Sequence, residues 1–266
     1  MSVALRMALD RDPDVALGTL ATAGTALVVA LLAAAAETPA RGLHLSSAWP
    51  FLLVGLLSPG AAQIFVTLGI RESGASRVSM VFGTAPLVSV TIALVVLNEP
   101  ASAPLIVGAI LIVAGGVELA RERERPAHLN RRGLAYAFAG ATLFAIRDNL
   151  VRHLAVGSTA VPPGVAAAAA LLGGTLLIAV WARRGIGRRW MPFLPAGVLF
   201  GASYISLFEA YYRGRVTVVA PLVAVESLVG VGLSALFLRE SEHVGKRLLL
   251  GAALIVAGGA LIGAYR

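Results

Sequence analysis

Three charged side chains stand where so apolar a chain has no cheap place for them. Arg147 and Asp148 sit side by side in Ala145-Ile146-Arg147-Asp148-Asn149, and Glu226 lies within Ala224-Val225-Glu226-Ser227-Leu228. On insertion scales an ionised residue at the centre of a membrane helix costs about 2.5–3.5 kcal/mol, so such residues face a cavity or a partner. The chemistry open to them is ionic: Arg147 holding an anionic group of a ligand, Glu226 holding an amine or carrying a coupling proton. Arg147 follows Gly133 by fourteen residues, about 21 Å along a helix, and Asp148 by fifteen. Glu226 precedes Leu238 by twelve, about 18 Å from the same side of the bilayer. The matching depth predicts that Arg147 and Glu226 approach each other across a central cavity. A buried Arg–Glu pair that only fixes helix register is the alternative.

Other polar residues are weaker candidates. Gln63 and Thr67, one helical turn apart, are expected to line the cavity or to hydrogen-bond between helices, a contact worth only about 0.6 kcal/mol on average. Tyr136 shares a helical face with Gly140 and Arg147, which puts it at the cavity mouth or makes it an interfacial anchor. Glu209, beside Tyr211, Tyr212 and Arg213, is expected at the end of its span, reaching to the interface. Gly259 and Gly263, with Gly251 and Ile255, form a small-residue stripe read as tight packing within the chain. The four histidines, His44, His128, His153 and His243, lie in loops or at span ends without ligand spacing, so neither a metal nor a cofactor is expected. With no cysteine in the chain, disulfides, thiolate metal sites and a Cys nucleophile are excluded.

Membrane helices must position these groups. Of 266 residues 58% are hydrophobic, 14% charged and 6% aromatic, and the mean hydropathy is +0.85. Soluble chains average about 45–50% apolar and about 25% charged, so a water-soluble fold is excluded. A transmembrane barrel would show alternating segments of about ten residues, which are absent. Apolar blocks of about 20 residues predict about nine spans, near 15–36, 49–70, 77–97, 101–119, 133–151, 161–182, 192–212, 215–238 and 247–265. The formal charge of +8 then sets orientation in the bilayer, with no nucleic-acid partner expected.

The chain also repeats itself. Leu111-Ile112-Val113-Ala114-Gly115-Gly116 recurs letter for letter as Leu254-Ile255-Val256-Ala257-Gly258-Gly259, with Gly108 and Gly251 three residues ahead of each copy. Ser76-Arg77-Val78-Ser79 parallels Gly214-Arg215-Val216-Thr217, and the acidic turn Asn98-Glu99-Pro100 parallels Arg239-Glu240-Ser241-Glu242-His243. Aligned, the second unit has five spans and the first four, preceded by a stub over residues 1–10 that resembles the end of the segment around Asp148-Asn149-Leu150. The first span of the first repeat is expected to be missing, and the native reading frame to extend upstream of Met1. Five helices per unit is an odd number, so the two copies are expected to lie in opposite orientations, an architecture of secondary transporters with the substrate site at the repeat interface.

At these residues the chain resembles the drug/metabolite transporter superfamily, in particular its EamA-like ten-span members. The resemblance rests on Pro86 followed by Glu99, then Gly108 and the Leu-Ile-Val-Ala-Gly-Gly ending, with Glu242, Gly251 and the same ending in the second copy. It implies an all-α polytopic bundle of two inverted-topology repeats, four spans plus five: residues 1–120, a connection over 121–132, and residues 133–266. The function expected is a secondary transporter of a small metabolite, working by alternating access, as a proton-coupled carrier or an exporter, and not an enzyme. A scaffold or sensor that transports nothing is the alternative, and a lipid-modifying enzyme a more remote one. The expected partners are a small-molecule substrate and the lipid bilayer, and the expected location is a prokaryotic plasma membrane. In two places the chain departs from the family pattern: the first span, and Ile146-Arg147-Asp148 in place of a Trp-Gly-Ser-Asn-like stretch.

Orientation follows from the 22 basic residues. Sixteen fall in alternate loops starting with the N-terminal segment, among them Arg71, Arg77, Arg121, Arg131 and Arg132. Five, Arg41, Arg152, Arg213, Arg215 and Arg266, fall on the other side, with Arg147 intramembrane. Short cytoplasmic loops carry the Lys/Arg excess, which predicts the 121–132 connection inside and Arg266 outside. Ten-span members of the resembled family keep both termini inside and would place the connection outside. The charge bias is the larger consideration. Ala127→Cys, the sole thiol of that variant, should be labelled from the cytoplasmic side; labelling from outside would reverse the assignment.

Overall fold

The structure, a computed structural model, describes residues 1–41, 45–99, 102–120, 131–157, 161–183, 188–223, 225–237 and 246–264. The acidic turn at 239–243, most of the 121–132 connection, and His44, His128 and His243 lie outside the described residues. Helices make up the described chain: α1 (Ser2–Arg11), α2 (Val15–Arg41), α3 (Trp49–Gly55), α4 (Ala62–Ser73), α5 (Ala75–Gly83), α6 (Ala85–Val95), α7 (Ala103–Ala120), α8 (Arg131–Gly157), α9 (Pro163–Ala182), α10 (Leu194–Arg213), α11 (Val216–Val223), α12 (Val225–Phe237) and α13 (Lys246–Ala264). A π-helical segment, Leu56–Ala61, joins α3 to α4, and α5 with α6 and α11 with α12 each make one span in two halves. Counted in this way, the described helices after α1 form nine rods.

Five rods, Val15–Thr38, Trp49–Ser73, Arg77–Val95, Pro163–Ala182 and Arg189–Arg213, are long and apolar enough to cross a membrane, and Ala103–Ile112 and Leu249–Ala264 are shorter apolar helices. Large apolar side chains such as Val95, Val180 and Leu236 point outward and stay exposed, as a lipid-facing surface requires. The stub expected over residues 1–10 is an ordered helix, α1, of 10 residues. At 1.5 Å per residue it covers about 15 Å, half a hydrocarbon core.

Antiparallel pairing of equivalent elements relates the two halves. α5, the first half of its span, packs on α12, the second half of its own, while α6 packs on α11. The fifth helices of the repeats, α7 and α13, meet along glycines. A Cβ on Gly108 would come within 2.5 Å of the Gly258 carbonyl oxygen, and one on Gly115 within 2.5 Å of the Gly251 carbonyl oxygen. Gly251 and Gly258 are the repeat equivalents of Gly108 and Gly115. Each glycine therefore faces the counterpart of the other, the arrangement that a two-fold axis between inverted copies produces. Ile112 and Ile255 are fully buried in the same seam.

Of the expected stripe, Gly251 and Ile255 lie in the seam with α7, joined there by Gly258, while Gly263 faces the flexible Leu222 side chain. The contrast is testable. Gly108→Ala must push backbone from backbone, an overpacking cost of about 1–3 kcal/mol, whereas at Gly263 the Leu222 side chain can turn aside. Gly108→Ala should lower the melting temperature in detergent clearly more than Gly263→Ala. Equal melting temperatures would contradict the seam.

Two rods break where the sequence reading drew one continuous span. Pro59 lacks an N–H donor, and Ser58 leaves helical geometry at φ −148° and ψ 118°. Non-helical backbone at membrane depth survives only where its polar groups find partners. Here the Tyr204 hydroxyl donates to the Ser58 carbonyl at 2.7 Å. The second break is at Thr84, where Pro86 occupies the first turn of α6.

Candidate functional site

A cavity of about 450 Å³ lies between the repeats. Ala85, Pro86 and Ser89 of α6 form one wall, Phe144, Arg147 and Asp148 of α8 a second, Phe200, Ser203 and Tyr204 of α10 a third, and Val219, Ala220, Leu222 and Val223 of α11 with Glu226 of α12 the fourth. The broken spans matter here. The break in the α5/α6 rod lies at cavity depth, between Phe82 and Ala85, which both line the opening.

Arg147 dominates the site. Its residue is 3% exposed, and its guanidinium lies 4.9 Å from the ring centre of Phe144 and 4.8 Å from that of Tyr204, a cation held between two π faces. Nη2 pairs with Asp148 Oδ1 at 2.6 Å. The contact is ionic and not a well-angled hydrogen bond, because the two residues are neighbours on one helix. Arg147 Nε and Nη1 are buried and have no hydrogen-bond partner among the described residues. A guanidinium with donors free beside a cavity is built to receive an acceptor, and a carboxylate or phosphate oxygen is the strongest one.

Asp148 and Asn149 bind the two repeats together behind the cavity. Ser89 Oγ of α6 donates to Asp148 Oδ2 at 3.4 Å. Asn149 Nδ2 donates to the Ser89 carbonyl and to the Ala145 carbonyl, each at 3.0 Å. Glu226 is different: its side chain is exposed, and what it is exposed to is the cavity it lines.

Arg147 and Glu226, expected to approach within salt-bridge or water-bridged distance, both line the cavity, with no salt bridge between them among the described residues. Arg147 takes Asp148 as its close partner, and among the described residues no ion pair reaches Glu226. Gln63 and Thr67 are corrected. Both are fully buried, Thr67 Oγ1 donates back to the Gln63 carbonyl at 2.8 Å, and neither lines the cavity, which α4 reaches through Val66 instead. Tyr136 is not at the cavity mouth; it stacks on Phe65 of α4 with ring centres 6.0 Å apart. Glu209 pairs with Arg213 one turn on, its Oε1 2.8 Å from Nε, at the end of its span. Among the described residues no three His, Asp or Glu side chains gather to hold a metal ion.

Tyr204 and Ser89 were not singled out from the sequence. Tyr204 had a readable signal, since Phe200, Tyr204, Phe208 and Tyr211 recur at helical spacing in a chain with few aromatics and all four are buried. The rings of Phe200, Tyr204 and Phe208 form a continuous column, with centres 5.4 Å apart for Phe200 and Tyr204 and 5.0 Å for Tyr204 and Phe208. Ser89 carried no signal beyond lying three residues after Pro86.

The comparisons with known proteins agree with this architecture. No curated protein matches the chain closely enough to carry an argument. A solved crystal structure of a protein resembles it with a TM-score of 0.70 at 20% identity, over 99% of this chain and 94% of that one, a likeness of fold alone. The EamA-like transporter family model matches twice, at residues 1–118 and 131–264, once on each side of the connection. With both halves of an all-helical, two-repeat membrane bundle accounted for, the chain belongs to the EamA-like transporter family.

Proposed function

We propose that this protein is a secondary transporter that carries a small metabolite by alternating access of its two repeats around the cavity at Arg147. The observation that supports it is the cavity itself: a space of about 450 Å³ between the repeats, largely apolar, holding Arg147 and Asp148 on one wall and Glu226 on another. A register device needs paired charges and no space. Here Arg147 keeps donors free and Glu226 faces an opening. Arg147 holds an anionic group of the substrate, with Asp148 positioning the guanidinium. Glu226 carries an amine of the substrate or the coupling proton. Residues 1–120 act as the first repeat and 133–266 as the second, moving against each other. The driving energy comes from a gradient, and the membrane is a prokaryotic plasma membrane.

Purified protein screened against metabolites by thermal shift should single out anionic or zwitterionic compounds; a ligand at 100 times its dissociation constant adds about 2.7 kcal/mol of stability. The same compounds should then accumulate in, or leave, proteoliposomes. Binding without flux is the result a sensor would give, and it would overturn the transport reading.

A further inference from the structure

Glu99 lies outside the cavity, in the turn that follows α6, and its carboxylate crosses from one repeat to the other. Oε1 accepts the Val216 N–H at 3.1 Å and Oε2 the Thr217 N–H at 3.0 Å. These are first-turn amides of α11, which have no acceptor within their own helix. The residues just before α11, Gly214 and Arg215, bring no acceptor side chain to cap it. The cap is supplied by the other repeat, as an anion at the positive end of the helix dipole.

The position of this contact gives it consequence. On the same face Arg152 Nη1 donates to the Tyr211 carbonyl at 3.0 Å and to the Tyr212 carbonyl at 3.4 Å, tying the end of α8 to the end of α10. A two-residue turn joins α10 to α11. Four of the helices that line the cavity, α8, α10, α11 and α6, are therefore linked in series at this end, and α6 is the one of them contributed by the first repeat. It meets α8 through Ser89 at cavity depth and α11 through Glu99 at the rim. On the opposite face the repeats are tied by Arg189 and Asp12, with Nε 2.6 Å from Oδ2. The Arg189 side chain is 69% exposed but the Asp12 side chain only 8%, so this two-pronged pair is a half-buried tie of its own.

We propose that Glu99 is the gating residue of the face that carries the α10–α11 turn: its carboxylate holds the α11 terminus against α6 while the cavity is closed there, and lets go when it opens. The inference rests on the alternating-access reading for its second state. A contact present in only one of two states shifts their balance by its own free energy. Loss of a helix cap corresponds to about a fivefold to tenfold change in that balance.

Because the chain has no cysteine, one introduced thiol reports by itself. Ala210→Cys lines the cavity near the gated end and Val66→Cys lines it from α4. A membrane-impermeant maleimide is applied to full-length protein in oriented vesicles, from the Ala210 side for the first and from the opposite side for the second. Glu99→Ala should speed labelling of Ala210→Cys about fivefold to tenfold and slow that of Val66→Cys. Glu99→Gln, which keeps one acceptor, should fall between wild type and Glu99→Ala and serves if the alanine variant folds poorly. Unchanged labelling at Ala210→Cys in both variants, or faster labelling at both positions, would overturn the gate, the latter by revealing general loosening. The expected labelling pattern in a protein that carries no metabolite would sink the transport reading and leave the Glu99 contact standing as a conformational latch.

Discussion

Arg147→Ala should melt at a markedly lower temperature than wild type and should carry no substrate. The stability loss has a definite source. Arg147 and Asp148 are 3% and 8% exposed, and they form one ion pair at 2.6 Å. Removing one partner of a buried pair strands the other charge, which costs about 3–5 kcal/mol. The two rings that clasp the guanidinium, Phe144 and Tyr204, lose their packing at the same time. Lost stability alone would not separate a structural role from a binding one.

The paired replacement Arg147→Met with Asp148→Leu makes that separation. Well-packed apolar residues in place of a buried ion pair are often neutral, or more stable by about 1–4 kcal/mol. The double variant should therefore recover most of the melting temperature while flux stays at the level of empty liposomes. Recovery of flux along with stability would mean that Arg147 only holds α8 in place. Differential scanning fluorimetry in detergent and a liposome assay on the same preparation give both readings.

The spans were legible because the bilayer demands long apolar blocks, and α2, α9 and α10 begin and end within a few residues of where the hydropathy places them. What hydropathy does not encode is continuity. The blocks at 49–70 and 77–97 read as single helices, yet Ser58 and Thr84 interrupt them. Each break sits beside a proline that could have been weighted more heavily. The charged residues of the site were legible for the opposite reason: Arg147, Asp148 and Glu226 stand out as expensive. Their partnership was not. Depth along a helix fixes one coordinate, and the direction around the helix axis decides which group is met. Arg147 and Glu226 share a cavity, but the adjacent carboxylate on the same helix takes the ion pair. Gln63 failed as a candidate on the same count, since the kink at Pro59 and the packing of α4 on α8 turn it away from the opening. The glycine seam shows how the repeat could have supplied the missing angle. Once the copies are taken as inverted, equivalents meet reciprocally, so the contact of Gly108 with Gly258 carries with it that of Gly115 with Gly251.

Glu226→Gln should leave folding and expression unchanged and reduce flux by at least about tenfold, the loss of one interaction worth about 1.4 kcal/mol or more. The two halves of the prediction have separate grounds. Folding is spared because Glu226 faces the cavity and, among the described residues, anchors no ion pair, so replacing it with an isosteric amide strands no partner charge. Flux is not spared, because the amide can neither bind and release a proton nor offer a full negative charge to a substrate amine. The two roles differ in what survives. If Glu226 carries the coupling proton, Glu226→Gln should still exchange substrate across a liposome membrane when both sides are loaded, since exchange needs no net proton movement, while uphill accumulation disappears. If Glu226 holds a substrate amine, exchange and accumulation fall together, and the thermal shift by a zwitterion shrinks while that by the corresponding acid without an amine does not. Wild-type accumulation in Glu226→Gln would remove Glu226 from the mechanism, and would leave the Arg147–Asp148 wall to act on the substrate.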